Sequence, residues 1–531
     1  KAISQFKSKI FDLLQNSPLH VQFQILSLTE TIYRKIPEAL KGEEKNFVKK
    51  FFEMKHEDSL VPLIYNVLVA MLNVLDATLV NNVLVETAKK LQLISTSGSQ
   101  LNSLFNFSKE ACSKTKAADV KKIIAGYKKD IKSVNENVSK FIATLAAFAG
   151  EEKSFIDGCL SLLSSSKDIA ELKNALTLIG DICMYSKNNY NDLIGKLEAM
   201  ISNAKDEIKV TISVAIGKIG LSDPVSFISK TCSQKATKFT FVSLREFLSL
   251  LTETQANISD KELQSLFNWL YQKKNLEDKD INNLCGECLG LLAGYEQTFI
   301  ADYIKGLNGD INMKIAFYYG LKFIFSKKAK LSPNDLGSLI VELIEGLKDT
   351  ELKVKENAFN SLLNAAHNYK DVIKSKYDEL MGIFEEAHKV NKKWIEEVDF
   401  GGGCKIKNDK GIGIRKAVFN TIKLFVDNFP TKINVPKTIE YCLDGLHDTE
   451  DIQLTVFSSL IKVAHLNPSA FISSVDTMCD QLKMIMDKSR SAEAKKEFIE
   501  NTKKLFAELK EEHEVSDNPK YVNLSTEIAK V

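Results

Sequence analysis

An all-α fold of stacked helix pairs, interrupted once by a short β-hairpin near 398–413, is what this sequence predicts, on three observations. Helix breakers are sparse, with 24 glycines and 9 prolines in 531 residues. Apolar residues recur at three- and four-residue steps, as in Leu244, Phe247, Leu248 and Leu251 or Phe359, Leu362, Leu363 and Ala366, the spacing of one helix face. A block of sequence also returns. Gly346-Leu-Lys-Asp-Thr-Glu351, Val354 and Ala358-Phe-Asn-Ser-Leu-Leu-Asn-Ala-Ala-His367 reappear 98 or 99 residues later as Gly445-Leu-His-Asp-Thr-Glu450, Ile452 and Val456-Phe-Ser-Ser-Leu-Ile-Lys-Val-Ala-His465.

From the N-terminus, residues 1–150 carry helical periodicity without clean repeat anchors. Within them Ser113 to Lys140 is lysine-rich and polar, fitting a surface helix or a longer connection. Clear copies begin with Asp168, Leu172, Ala175 and Leu178-Ile-Gly-Asp-Ile182, followed by Asp206-Glu-Ile-Lys-Val210 with Ala215-Ile-Gly-Lys-Ile219, where Ala215 lies 40 residues after Ala175. A third version of the Gly346 block, Asp409 with Ile414 and Ala417-Val-Phe419, lies between the two full copies, so their separation holds two units and an extra segment. A two-helix period of about 40–47 residues is of HEAT or armadillo type. The acidic residue of each copy opens the second helix, where a carboxylate caps free amides and opposes the dipole. Such a unit cannot bury its apolar face alone, so residues 1–531 read as a single α-α superhelix of about a dozen units, with a long ridge for a partner.

The stretch Trp394 to Phe419, WIEEVDFGGGCKIKNDKGIGIRKAVF, breaks this pattern. Gly401 to Gly403 each cost roughly 1 kcal/mol in a helix relative to alanine, and Gly411 and Gly413 follow. Cys404 to Lys407 can run extended and Asn408-Asp409-Lys410-Gly411 offers turn chemistry, which predicts a short hairpin, with helix resuming near Ile414.

Composition excludes several function classes. At 44% hydrophobic and 26% charged the chain has ample apolar content for a core, and its formal net charge of +2 sets up no field that calls for nucleic acid or an anionic membrane. Only Arg34, Arg245, Arg415 and Arg490 are arginines, where phosphate readers are arginine-rich. The most apolar region, 59–85, is interrupted by Asn66, Asn73 and Asp76 and falls short of the ~20 residues of a membrane span. Nine scattered cysteines point to a reduced compartment, cytoplasmic or nuclear. The chain begins at Lys1 with no apolar signal core, so further N-terminal sequence is expected.

No constellation points to catalysis, a metal or a cofactor. Cys285-Gly-Glu-Cys288 has no second pair, no histidine pair and no βαβ context, and shares a helix face with Leu284, Leu289, Leu291 and Leu292, so it reads as core filling. His367 and His465 hold one repeat position, which implies one structural job at a helix end. GGGCKIKNDKG lacks the Gly-Lys-Ser/Thr ending of a phosphate loop. Phe317, Phe359, Phe419 and Phe457 fall in the repeat register and read as core rather than as base-stacking platforms.

Asn357-Ala-Phe-Asn-Ser-Leu-Leu-Asn-Ala-Ala-His-Asn368, Trp394-Ile-Glu-Glu-Val-Asp-Phe-Gly401 and Asp409-Lys-Gly-Ile-Gly-Ile-Arg-Lys-Ala-Val-Phe419 resemble the C-terminal half of the cullin-associated and neddylation-dissociated proteins. Gly286-Glu-Cys-Leu-Gly290, Tyr441-Cys-Leu-Asp-Gly-Leu-His-Asp448 and Asn467-Pro-Ser-Ala470 are similar to the same family, and the resemblance spans about Ser161 to Lys530. It implies a non-enzymatic HEAT-repeat regulator of cullin–RING ubiquitin ligases. Members wrap an unmodified cullin and its RING subunit, and their C-terminal half holds the cullin's N-terminal region and pushes a hairpin into the adaptor-binding surface. By that resemblance Val398, Asp399, Phe400, Gly401, Lys405, Ile406, Lys407, Asn408, Gly411 and Arg415 are the partner-binding residues, and a separate N-terminal half of the same protein is a further partner. This chain departs from the family where a single glycine, a proline and an aromatic are replaced by Gly401-Gly-Gly-Cys404. The alternative from the repeats alone is another HEAT scaffold, a nuclear-transport receptor or a phosphatase scaffold.

Overall fold

The computed structural model describes residues 2–53, 58–93, 99–186, 188–254, 258–273, 278–326, 331–399, 405–487 and 492–530. Among them are 29 α-helices, six short 3-10 segments and two β-strands, so the fold class is all-α with one two-stranded sheet. The helices fall into two compact units, Lys1–Leu266 and Phe267–Val531.

In the first unit the second helices of successive pairs, Leu19–Lys35, Val61–Met71, Ser99–Cys112, Glu136–Ala149, Ile169–Tyr185, Asp206–Gly220 and Lys238–Thr254, pack one against the next. Residues 1–150 thus form the same kind of pair as the rest of the unit, although their sequence carries no clean anchors. Their apolar faces are equally buried: Val67, Leu68, Phe107, Phe141 and Ile142 are 0% exposed. The lysine-rich stretch contains the helix Ala117–Lys129, which turns Val120 and Ile124 inward while Lys121 and Lys128 reach Glu151 at 2.9 and 2.8 Å.

A polar link crosses three of these helices. Ser139 Oγ donates to Asp181 Oδ2 at 2.6 Å and Lys218 Nζ donates to Asp181 Oδ1 at 2.6 Å. Asp181 is 0% and Lys218 7% exposed. Burial disfavours the Lys218 charge, but attraction and hydrogen bonding to Asp181 outweigh it and leave its pKa above the usual lysine value. The acids of the two repeat copies here differ in detail. Asp168 caps its helix, accepting from the amides of Ala170 and Glu171 at 2.7 and 3.2 Å. Asp206 instead lies inside the first turn behind Lys205 and makes no cap bond; it opposes the dipole and accepts from Lys209 Nζ at 2.9 Å.

In the second unit the stacked second helices are Lys279–Tyr295, Ile311–Ser326, Leu352–Asn368, Ile412–Asn428, Glu450–Leu466 and Ala492–Leu509. The repeat register read from sequence holds residue by residue. Val354, Ile414 and Ile452, and five positions on Phe359, Phe419 and Phe457, are all at most 1% exposed. Two devices bring neighbouring backbones together. A Cβ at Gly286 would lie 2.0 Å from Ala316 O and one at Gly290 2.2 Å from Gly320 O, so only glycine allows this approach. On the next helix a polar stripe, Asn357, Ser361, Asn364 and Asn368, donates to the carbonyls of Ile315, Tyr318, Lys322 and Phe325 at 3.1, 3.2, 3.4 and 2.8 Å.

Removing one partner of the Asp181–Lys218 link should be costly, because a buried ammonium is left without its counter-charge. Asp181→Ala should destabilise the fold by about 3–5 kcal/mol in urea unfolding, and the double variant Asp181→Leu with Lys218→Met should recover most of that loss.

Candidate protein-binding site

In the repeats on either side, the two helices of a pair are joined by a short turn, 349–351 before Leu352–Asn368 and 446–449 before Glu450–Leu466. Between Tyr377–Ala387 and Ile412–Asn428 that turn is replaced by the insertion 388–411. Its entry is held by His388, 4% exposed and stacked on the Tyr441 ring at 4.3 Å. The His388 Nδ1 lies 2.7 Å from Phe384 O and its Nε2 lies 3.1 Å from Asp444 Oδ2 in the next pair.

The strands β1 (Ile395–Asp399) and β2 (Lys405–Asp409) then pair antiparallel, in the register Ile395↔Asp409, Glu396↔Asn408, Glu397↔Lys407, Val398↔Ile406, Asp399↔Lys405. Glu397 and Lys407 face each other across the ladder as an opposite-charge pair. Glu396, Glu397, Lys407 and Asn408 are exposed, so the described part of the ladder stands clear of the helices.

The base is anchored on both sides. Lys410 donates its amide to Trp394 O at 3.0 Å, and its ammonium pairs with Glu396. Trp394 lies against Gly411, where a Cβ would meet the ring at 2.7 Å, and the Lys355 ammonium sits 5.8 Å above the Trp394 ring. Asp409 Oδ1 accepts from the Gly411 amide at 2.8 Å. Asp409 Oδ2 lies 2.8 Å from Arg415 Nη2, whose guanidinium also grips Asp448 through Nε and, at 3.0 Å, Nη2. Burial works against the Arg415 charge, yet hydrogen bonds to Asp448 and Asp409 outweigh it and raise its pKa above the ordinary arginine value.

The hairpin expected from sequence is present with different bounds. It starts at Ile395 rather than Val398, and the chain reverses between Asp399 and Lys405. Asn408 and Asp409 lie in β2. The Asp409–Gly411 turn is the corner from strand to helix, because Asp409 caps the Gly411 amide there, and helix resumes at Ile412. Lys407 and Asn408 are exposed on the strand. Arg415, at 2% exposed, and Gly411 are interior, which removes both from a contact surface: one is an ion-pair hub and the other makes room for an indole. Phe400 and Gly401 lie outside the described residues, as do the side chains of Val398, Asp399, Lys405 and Ile406. Trp394, His388 and Asp448 were missed as parts of the site. One of only two tryptophans in the chain, set beside a predicted break, was the available signal for the first.

Cys285 and Cys288 are 0% exposed, Cys285 Sγ donates to Leu270 O at 3.4 Å, and burial pushes the Cys285 thiol up to about 12. Among the described residues no group of histidines, cysteines and carboxylates is placed to hold a metal ion, and no helix is long and apolar enough to cross a membrane. His465 reaches Glu508 of the next pair at 2.9 Å, a link between helix ends.

A sequence-family profile, TIP120, described as TATA-binding protein interacting (TIP20), matches residues 372–509, which contain the whole hairpin. Cullin-associated NEDD8-dissociated protein 2 of Rattus norvegicus is 22% identical over 343 residues, 62% of this chain and 27% of that protein. Cullin-associated NEDD8-dissociated protein 1 of Dictyostelium discoideum is 27% identical over 305 residues, 56% of this chain and 25% of that protein. The chain is similar to the cullin-associated NEDD8-dissociated proteins. A third relative, from Emericella nidulans, is named as the C-terminal part of a cullin-associated NEDD8-dissociated protein 1 and is 21% identical over 68% of this chain and 35% of its own length. The match to the first two cullin-associated relatives spans about a quarter of their length.

The state of the thiols gives a direct check on the core reading. At pH 8.5 iodoacetamide should label half-buried Cys232 well before buried Cys285 and Cys442, whose thiols burial lifts to about 12. Because these folded values lie above the unfolded thiol value of 9.0, their contribution to stability is intact below pH 9 and should be lost as pH rises from 9 towards 12, which denaturant midpoints at stepped pH would follow.

Proposed function

We propose that this chain is a non-enzymatic regulator of cullin–RING ubiquitin ligases. It holds the N-terminal region of a cullin that carries its RING subunit, and competes with adaptor and substrate-receptor modules, promoting their exchange. The observation that carries this reading is one of place: a braced, exposed hairpin interrupts the helix pairs inside 372–509, the stretch shared with the TIP120 family. A rigid stack supplies the grip, and the hairpin supplies an element that can enter a site an adaptor would otherwise fill. In this reading Lys407 and Asn408, with the strand positions Val398, Asp399, Lys405 and Ile406, meet the partner. The protein works in cytoplasm or nucleus, with no cofactor, nucleic acid or membrane, alongside an N-terminal half of the same protein.

The register supplies a clean test. Glu397 and Lys407 are partners across the ladder, so replacing 398–406 by Asn-Gly closes a two-residue turn on that pair and shortens the hairpin without disturbing its base. The shortened chain should capture a cullin–RING complex as well as the parent but displace adaptor at least about tenfold more slowly, equivalent to ~1.4 kcal/mol of barrier. Unchanged displacement would sink the hairpin reading. Copurification of a GTPase, transport cargo or phosphatase subunit in place of a cullin would favour the other HEAT scaffolds.

A further inference from the structure

We infer that Arg415 is a positioning residue that sets the pose of the hairpin by tying the end of β2 to the following repeat. Its part in partner exchange rests on the function proposed above; its part in holding the hairpin does not.

The same ion pair occurs in plainer form two repeats earlier. Lys314, fourth residue of the helix Ile311–Ser326, reaches Asp349 in the turn before the next second helix at 3.1 Å, and Asp349 accepts the Glu351 amide at 2.9 Å. Arg415 is likewise the fourth residue of its helix, and Asp448 is the acid in the turn that follows. By this rule the cation for Asp409 should be Lys355, fourth residue of Leu352–Asn368. Lys355 instead lies over the Trp394 ring, and Asp409 is taken by Arg415.

The insertion has therefore changed the wiring. One guanidinium holds two carboxylates, Asp409 from the hairpin and Asp448 from the next pair, where Lys314 serves one. An ammonium is a point charge and lacks the planar fork with which Arg415 meets Asp448 at two atoms while still reaching Asp409. That gives a physical reason for one of the four arginines among the 71 basic residues to stand here. The side chain of Arg415 is 2% exposed and that of Asp448 6%, so solvent does little to weaken the pair. The hairpin is braced through Trp394 against Lys355 of the preceding pair, and through Asp409 and Arg415 against Asp448 of the following one.

Hydrogen exchange of the chain alone tests this, with Arg415→Met, Arg415→Lys and Asp409→Asn as variants and Lys314→Met as control. The Asp409 variant leaves the Arg415–Asp448 pair in place, which guards against a variant that fails to fold. Amides of 395–399 and 405–409 should exchange about tenfold or more faster in Arg415→Met and Asp409→Asn, by an intermediate factor in Arg415→Lys, and at the parental rate in Lys314→Met. Parental exchange in Asp409→Asn, or equal acceleration in Lys314→Met, overturns the inference. Mixed with an adaptor-loaded cullin–RING complex, Asp409→Asn should bind within about twofold of the parent yet displace adaptor about tenfold more slowly. If the parent itself fails to bind the complex, the functional reading fails while hydrogen exchange still decides the role of Arg415.

Discussion

Everything in each unit depends on the contact between one second helix and the next. A single helix pair of this length cannot bury its apolar stripe, so its stability is shared with its neighbours. In the second unit the sequence brings the backbones close in two ways. Gly286, Gly290 and Gly320 remove side chains where Lys279–Tyr295 meets Ile311–Ser326, and a carbonyl occupies the space. One helix later the asparagine and serine stripe donates into carbonyls of Ile311–Ser326 that already serve its own ladder. The first device relies on shape and the second on direction. Together they fix register along the helix axes, which apolar contact alone leaves loose.

The hairpin is an insertion that had to respect that contact. It enters at the turn inside a pair, where extra chain leaves the packing of second helices untouched, and Ile414, Val418 and Phe419 remain buried as their counterparts do. It also returns the chain to the helix with an acid, Asp409, in the capping role that Asp349 and Asp448 play without an insertion. The repeat therefore reads through the insertion with its start signal and core positions intact.

This explains which features were legible. The all-α class, the period and the Val/Ile and Phe positions came from spacing, and spacing is what burial on a helix face enforces. The glycine break announced the insertion for the same reason. The strand bounds were not legible, because Ile395-Glu-Glu-Val-Asp399 alternates too weakly to outweigh the turn chemistry of Asn408 to Gly411, and an aspartate that caps a helix looks in sequence like one that makes a turn. Arg415 was assigned to the contact surface by resemblance, which does not reveal burial; its partners lie 6 and 33 residues away, and only the stacked fold joins them. Residues 1–150 lack readable anchors, yet pack in the same way, since burial needs apolar faces and not a particular motif.

A two-stranded ribbon is marginally stable in water by itself. The pair Glu397/Lys407 adds only tenths of a kcal/mol to about 1 kcal/mol at its exposed position. Most of what holds this ladder must therefore come from its base, where an indole, a close glycine contact and a buried bidentate arginine act together. Support from below frees the strands from packing their own faces onto the helices.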